Sequence, residues 1–184
     1  MTILIHGFRS SGQSRKAKLF REFFKKNNIP YIAPSLSYVP ELAMATLEEL
    51  IESYDEVNLI ASSLGGYYAL YLAEKYGLKT VLINPSIYPK ETLKRHLSKA
   101  KTQYDGSFFE WKVSHLEMLE EFMPRKVLDS EYLMLLQKGD EVIDYREAMA
   151  KVSHATMIVE EGGTHQFDGI EQHFEQIIEF LYKG

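Results

Sequence analysis

Short apolar runs alternate with longer amphipathic stretches along most of the chain. The apolar runs predict six strands, at residues 2–6, 31–33, 57–61, 80–84, 132–137 and 156–160. Between them, apolar side chains recur at helical spacing and predict helices at residues 15–26, 40–53, 65–76, 145–151 and 170–182. Because the strands are almost continuously apolar, both faces of the sheet must be covered. This predicts an α/β fold with a mostly parallel sheet and helices on both faces.

Residues 86–125 break this alternation, because they contain no run that predicts a strand. Two helix-like stretches flank an aromatic loop at residues 104–111, and a capping box of Ser114 and Glu117 predicts that the second helix begins at Ser114. In open parallel sheets, ligands bind at the carboxyl ends of the strands. We therefore interpret residues 86–125, here called the lid segment, as a helical lid inserted into a single domain of residues 1–184.

Aromatic and basic side chains give the lid segment its chemical character. The aromatic residues are Tyr104, Phe108, Phe109 and Trp111. They are candidates for binding an apolar acyl group, and packing of the lid onto the body explains them equally well. Residues 87–112 also carry six basic and three acidic residues, most simply as a solvated surface. Together with Arg9, Arg15 and Lys16, this surface is compatible with an acyl-coenzyme A thioester.

The composition excludes several classes of function. A chain of 184 residues fits one domain. It contains no cysteine, which excludes disulfides and thiolate metal sites and suits a cytoplasmic protein. The net charge of -5 argues against nucleic acid as a partner, and no apolar stretch approaches the roughly 18 residues of a membrane span. We expect no metal and no cofactor.

A serine nucleophile is predicted at the end of the third strand. The apolar run at residues 57–60 is followed by ASSLGG at residues 61–66, where a helix begins. This is the pattern of a nucleophile elbow, in which a strained turn from strand to helix exposes a serine hydroxyl. The turn needs small residues two positions before and two positions after the serine. Ala61 and Gly65 meet that need for Ser63, whereas the same positions around Ser62 are large.

Two further residues complete a candidate Ser-His-Asp triad. A serine hydroxyl needs a base, and His165 follows the last strand through a Gly-Gly loop that can carry its imidazole over the sheet edge. Asp140 lies just past the end of the preceding strand and is the candidate acid that orients this histidine. Glu141 and Asp144 are competing acids, but we expect Glu141 to point away and Asp144 to start a helix. The order Ser63, Asp140, His165 is that of the α/β-hydrolases.

Acyl transfer also needs two main-chain N–H groups that stabilise the negative charge on the carbonyl oxygen. Leu64, directly after the candidate nucleophile, is expected to supply one of them from the start of its helix. The other is expected from Phe8, in the loop that follows the first strand. We expect His6 to brace this loop by hydrogen bonding rather than to act as a base.

Five blocks of the sequence resemble those of a known family. The blocks are ILIHGFRSS (3–11), ASSLGGYYA (61–69), LINP (82–85), GDEVIDYR (139–146) and EGGTHQF (161–167). They are similar to the motifs of the YqiA-like esterases, which are small bacterial α/β-hydrolases. The resemblance implies hydrolysis of carboxylic esters, with Ser63, Asp140 and His165 as the triad. It also implies a trimmed α/β-hydrolase fold, because the chain starts at what is usually the third strand.

Two other interpretations stay open. Residues 7–14 nearly form a phosphate-binding P-loop, but Gln13 occupies the position of its essential lysine. A fold does not fix a function, so the chain could also be a non-catalytic ligand- or protein-binding module on a hydrolase scaffold. An intact triad favours the enzyme, whose expected partner is a small-molecule ester or thioester. The sequence leaves the oligomeric state undetermined.

Overall fold

The molecule is built from short strands and the helices that connect them. The computed structural model describes residues 1–125, 127 and 129–183. Within these residues the strands are β1 (Thr2–Ile5), β2 (Tyr31–Ile32), β3 (Asn58–Ser63), β4 (Thr80–Pro85), β5 (Ser98–Lys101), β6 (Phe108–Trp111), β7 (Tyr132–Gln137) and β8 (Thr156–Glu160). The α-helices are α1 (Arg15–Lys26), α2 (Pro40–Glu52), α3 (Leu64–Tyr76), α4 (Pro89–Leu93), α5 (Val113–Glu121), α6 (Tyr145–Lys151) and α7 (Phe174–Tyr182).

Six of these strands form one parallel sheet, which confirms the predicted fold class. Their order across the sheet is β2-β1-β3-β4-β7-β8, and every neighbouring pair is parallel. Parallel strands bring their carboxyl ends to one edge of the sheet. The residues that follow β1, β3, β7 and β8 therefore meet at that edge.

Two hydrophobic layers cover the faces of this sheet. On one face, Leu47 of α2 and Leu70 of α3 are buried in one cluster with Leu59 of β3. On the other face, Phe20 of α1 is buried in a second cluster with Ile60 of β3. Successive strand residues therefore point into opposite apolar layers, which explains the continuous apolar runs. None of the helices in the described part of the chain is long and apolar enough to cross a membrane.

The lid segment differs from the predicted all-helical insertion, because it contains a β-hairpin. Strands β5 and β6 pair antiparallel, with Ser98 opposite Trp111. Side chains alternate along β6, where Phe108 is exposed and Trp111 is buried. A period of two is typical of a half-buried strand, so the second half of the predicted aromatic loop, residues 108–111, is one arm of the hairpin. In the turn between the strands, the Asp105 carboxylate accepts a hydrogen bond from the Ser107 N–H.

The helix after the hairpin begins one residue before the predicted start at Ser114. Its N-cap is Lys112, whose main-chain N–H donates to Nδ1 of His115 at 3.2 Å. The His115 ring is buried against Trp111, with the ring centroids 4.9 Å apart, and this packing fixes where the helix starts. The predicted last helix also differs slightly, because its first turn, Ile170–His173, is a 3₁₀ helix that leads into α7.

Candidate active site

The three residues of the predicted triad meet at the carboxyl edge of the sheet. Ser63 ends β3, while Asp140 and His165 follow β7 and β8. The His165 Nε2 atom lies 2.9 Å from Ser63 Oγ, and its Nδ1 atom lies 2.7 Å from Asp140 Oδ2. The side chains of His165 and Asp140 are only 11% and 2% exposed, so this chain of hydrogen bonds is shielded from solvent.

The turn at Ser63 has the strained geometry of a nucleophile elbow. Its φ of 55° and ψ of -125° lie outside the usual regions for a residue with a side chain. Neighbouring glycines leave room for this turn. A Cβ atom on Gly65 would lie 2.2 Å from the main-chain oxygen of Ile5, and one on Gly7 would lie 2.9 Å from Ser63 Cβ. Small residues at these positions are therefore a steric requirement.

The Asp140 carboxylate is held in one orientation by main-chain donors. Its Oδ1 atom accepts hydrogen bonds from the N–H groups of Val142 at 2.8 Å and Ile143 at 2.9 Å. Burial alone would raise the pKa of Asp140, but the hydrogen bonds from His165, Ile143 and Val142 outweigh it and keep the pKa below its usual range. The ionised Oδ2 atom is thus available to accept the Nδ1–H of His165.

The two competing acids have other hydrogen-bond partners. Glu141 Oε2 accepts the main-chain N–H of His165 at 3.0 Å, so it contacts the backbone of that residue and not its ring. Asp144 is the N-cap of α6 and accepts the N–H of Arg146 at 3.0 Å. The structure therefore brings Asp140, and neither competitor, to the imidazole of His165.

A polar clamp that was not predicted holds the loop that carries His165. Asn84 Nδ2 donates to the main-chain oxygens of Thr164 at 3.0 Å and His165 at 3.3 Å. Gln137 Oε1 accepts the N–H groups of Thr164 at 3.1 Å and Asp168 at 2.8 Å. Asn84 Oδ1 joins the two by accepting the Gln137 N–H. The sequence signal that could have indicated this clamp is a polar residue at the end of each of two apolar strands. Both of these residues are buried in the structure.

The loop after β1 is braced by His6, as predicted. The His6 Nε2 atom accepts the N–H of Leu36 at 2.9 Å, so Nδ1 carries the proton and donates to the Gly7 oxygen at 2.8 Å. Burial lowers the pKa of His6, which keeps the ring neutral for this double role. Phe8 follows directly, and its ring packs against Trp111 with centroids 4.8 Å apart. Leu64 opens α3, where the first N–H groups have no partner within the helix.

Two neighbouring cavities share the loop after β1. The larger, of about 480 Å³, is lined by Ser63 and His165 together with Lys16 of α1. The smaller, of about 60 Å³, is lined by Phe8 and Leu64 and by aromatic side chains.

Only part of the predicted aromatic set reaches these cavities. Tyr104 lines both, and Phe109 lines the smaller one. Phe108 is 58% exposed beneath the Lys99 ammonium and lines neither cavity. Trp111 is 1% exposed and packs the hairpin onto the body, which corrects its assignment to substrate binding.

A family model described as "Uncharacterised protein family (UPF0227)" matches residues 1–182. The chain belongs to this family. UPF0227 is the YqiA family, so the resemblance seen in the five sequence blocks is confirmed. A UPF0227 protein of Vibrio parahaemolyticus is 24% identical over 186 residues, which cover 98% of each chain.

Solved structures with low sequence identity share the fold of this UPF0227 chain. Est1E from Butyrivibrio proteoclasticus, solved with ferulic acid bound, is 14% identical with a TM-score of 0.77 and covers 99% of this chain and 88% of its own. Mouse alpha/beta hydrolase domain-containing protein 10 is 15% identical with a TM-score of 0.76, covering 97% of this chain and 89% of its own. The UPF0227 chain therefore has the α/β-hydrolase fold.

Proposed function

We propose that the chain is a serine hydrolase that cleaves carboxylic esters or thioesters through an acyl-enzyme on Ser63. The observation that carries the proposal is the His165 imidazole, which lies 2.9 Å from Ser63 Oγ and 2.7 Å from Asp140 Oδ2. Acyl transfer needs a nucleophile, a base and an orienting acid within hydrogen-bond distance. Asp140 keeps the His165 proton on Nδ1, so that Nε2 is free to accept the proton of Ser63.

In the first half of the reaction, Ser63 Oγ attacks the carbonyl carbon and passes its proton to His165 Nε2. The carbonyl oxygen becomes an oxyanion, which the N–H groups of Phe8 and Leu64 stabilise. The bond to the alcohol or thiol then breaks, and His165 gives its proton to the leaving atom. In the second half, water attacks the acyl carbon while His165 takes its proton, and His165 returns that proton to Ser63 Oγ as the bond to the acyl group breaks and the carboxylic acid leaves.

The substrate of this proposal is a small-molecule ester or thioester. Ferulic acid, which is bound in Est1E, is a carboxylic acid of the kind that ester hydrolysis releases. Every step of the mechanism uses side chains and main-chain groups of this chain. The absence of cysteine favours a cytoplasmic location for the reaction, because reducing compartments do not support structural disulfides.

The test replaces Ser63 and follows hydrolysis of 4-nitrophenyl butyrate. We expect Ser63→Ala to lower the rate at least about a thousandfold, because the nucleophile is lost. Ser53→Ala, at the far end of α2, is the control for the loss of a surface serine hydroxyl and should retain wild-type activity. Circular dichroism of each variant checks that the fold is intact.

A fluorophosphonate probe distinguishes the enzyme from a non-catalytic binding module. We expect the wild-type chain to form an adduct that mass spectrometry of peptides assigns to Ser63. Ser63→Ala that kept wild-type turnover, or an adduct on Ser62 instead, would contradict the proposed nucleophile. No adduct on folded wild-type chain would favour the binding module.

A further inference from the structure

The two cavities differ in their relation to the candidate nucleophile, because Ser63 lines the larger one and not the smaller one. In the proposed reaction, His165 must protonate the leaving atom of the ester, so the alcohol half has to lie on the His165 side. His165 lines the larger cavity and not the smaller one. Of the proposed oxyanion donors, Phe8 lines both cavities and Leu64 lines only the smaller one. The larger cavity is therefore the place for the alcohol half of the substrate.

Lys16, a lysine on α1, lines that larger cavity together with the candidate nucleophile. Lys16 Nζ donates to the hydroxyl of Ser62 at 2.7 Å, and Ser62 precedes Ser63 in the chain. From this hydrogen bond and ordinary chain geometry, Nζ is at most about 11 Å from Ser63 Oγ. An ion held by Lys16 would thus lie in the same cavity as the ester that Ser63 attacks.

The positive charge of Lys16 is not balanced by an ion pair. Among the residues that the structure describes, no carboxylate lies within 4 Å of its ammonium group. The Asp140 carboxylate acts on it from a longer distance and is already hydrogen-bonded to His165. Arg15, the neighbouring cation on α1, is paired with Glu171 at 3.3 Å.

Burial makes this unpaired cation costly. It lowers the pKa of Lys16 to about 8, and Asp140 only partly opposes the shift. Lys16, which is partly buried, is therefore largely protonated at neutral pH and has no carboxylate beside it as a counter-ion. A bound anion would supply that counter-ion, and its hydrogen bond to the ammonium group would be charge-assisted on both sides.

We propose that the substrate is an ester of a compact alcohol that carries an anionic group, a carboxylate or a phosphate, which binds Lys16 Nζ in the larger cavity. This inference rests on the proposed serine hydrolase activity and adds the substrate class to it. Lys16 is then a specificity-determining residue. It selects the alcohol half by charge, while Ser63 and His165 carry out the chemistry.

The test compares three butyrate esters that differ in the alcohol half. The neutral ester is 4-nitrophenyl butyrate, the carboxylate ester is 3-carboxy-4-nitrophenyl butyrate, and the phosphate ester is the monobutyrate of 4-hydroxyphenyl phosphate. Release of butyrate is measured by chromatography for all three at pH 7. The quantity compared is the kcat/KM for each anionic ester divided by the kcat/KM for the neutral ester. Intrinsic reactivity of the esters cancels when this ratio is compared between variants.

We expect Lys16→Met to lower this ratio at least about tenfold for one or both anionic esters, since a charge-assisted hydrogen bond is lost. The ester with the larger fall identifies the carboxylate or the phosphate as the natural group. Lys25→Met is the matched control, because it removes the same charge from the last turn of the same helix and should change the ratio less than about twofold. Lys16→Gln gives a second neutral variant if Lys16→Met does not fold.

The outcomes separate this inference from the proposed function. A wild-type chain that hydrolyses the esters, with ratios that Lys16→Met and Lys16→Gln leave unchanged, overturns the anionic substrate class and keeps the serine hydrolase. Equal falls in Lys16→Met and Lys25→Met also overturn it, because they would reflect the net charge of the molecule. A wild-type chain that hydrolyses none of the esters and is not labelled at Ser63 overturns both.

Discussion

At Ser63, a single residue holds a main-chain conformation that is unfavourable for any side chain. A non-glycine residue in such a region costs on the order of 1–3 kcal/mol. It persists because its neighbours fill the space around it, with Gly65 in contact with the end of β1. The packing of the elbow against β1 therefore offsets the free-energy cost of the Ser63 conformation, which places the candidate nucleophile.

This close packing predicts that adding one methyl group at Gly65 destabilises the protein. Gly65→Ala should lower the free energy of unfolding by about 3 kcal/mol or more, because its Cβ atom would meet the Ile5 oxygen and the main chain must move. Urea denaturation measures the loss. Gly77→Ala is the control: nothing lies within 4 Å of its Cβ position, so only the strain of its positive φ of 67°, about 1 kcal/mol, is expected. Equal losses in the two variants would contradict a steric role for Gly65.

Lys16 gives a second prediction at the scale of one residue, in the pH dependence of selectivity. Its pKa is about 8, so it is a cation below that pH and neutral above it. The wild-type preference for an anionic ester over a neutral one should therefore fall as pH rises from about 7 to about 9.5. His6, Arg15, Lys18 and His165 also line this cavity, and a change in the catalytic base affects both esters and cancels in the ratio.

Lys16→Arg is the control for this pH dependence, because the guanidinium group stays charged throughout the range. Its ratio of anionic to neutral kcat/KM should stay constant where the wild-type ratio falls. A wild-type ratio that does not change across this range would show that Lys16 does not recognise the anion.

At the scale of elements, the ends of β4 and β7 position the loop that follows β8. The Asn84 side-chain amide donates hydrogen bonds to two carbonyl groups of this loop. The Gln137 side-chain oxygen accepts hydrogen bonds from two N–H groups of the same loop. Gln137 also donates to Glu160 of β8 at 2.8 Å. The imidazole of His165 is thus held from one side by Asp140 and from the other by a clamp between strand ends.

Gln137→Leu should slow the labelling of Ser63 by a fluorophosphonate at least about tenfold, because two partly buried N–H groups of the His165 loop lose their acceptor. Affinity for substrate should change less than the rate, because Gln137 lines neither cavity. Glu160→Gln is the matched control, since it alters the same polar network but leaves the clamp on the loop. Labelling that is equally slow in both variants, or unchanged in Gln137→Leu, would contradict the positioning role.

Local patterns predict the central sheet and the residues of the candidate triad, because strands and elbows leave a signal within a few residues. Ser63 is recognisable from its small neighbours alone. The clamp is not, because Gln137 acts on residues that lie far along the chain and across the sheet edge. The hairpin was missed for a different reason. Its inward-facing residues, Ala100 and Trp111, are separated by polar and exposed aromatic residues, so the sequence shows no apolar run that would predict a strand.

At the scale of the whole molecule, the lid segment is packed into the main core. Trp111 and Leu116 of the lid segment belong to the same buried cluster as Leu70 of α3. Main-chain bonds add to this contact, since the N–H of Gln103 donates to the Arg9 oxygen at 2.8 Å. The hairpin and the loop that carries Phe8 therefore form one packed unit, and we expect them to unfold with the body.

The chain offers a direct probe of this coupling, because Trp111 is its single tryptophan and lies in the hairpin. During urea denaturation, tryptophan fluorescence reports the lid segment, and far-ultraviolet circular dichroism reports mainly the helices of the body. A shared core predicts that the two signals change at the same urea concentration, as in two-state unfolding. Trp111→Phe provides the fluorescence background of the 12 tyrosines. A fluorescence change at clearly lower urea would show instead that the lid segment opens as a separate cooperative unit while the sheet and the triad stay folded.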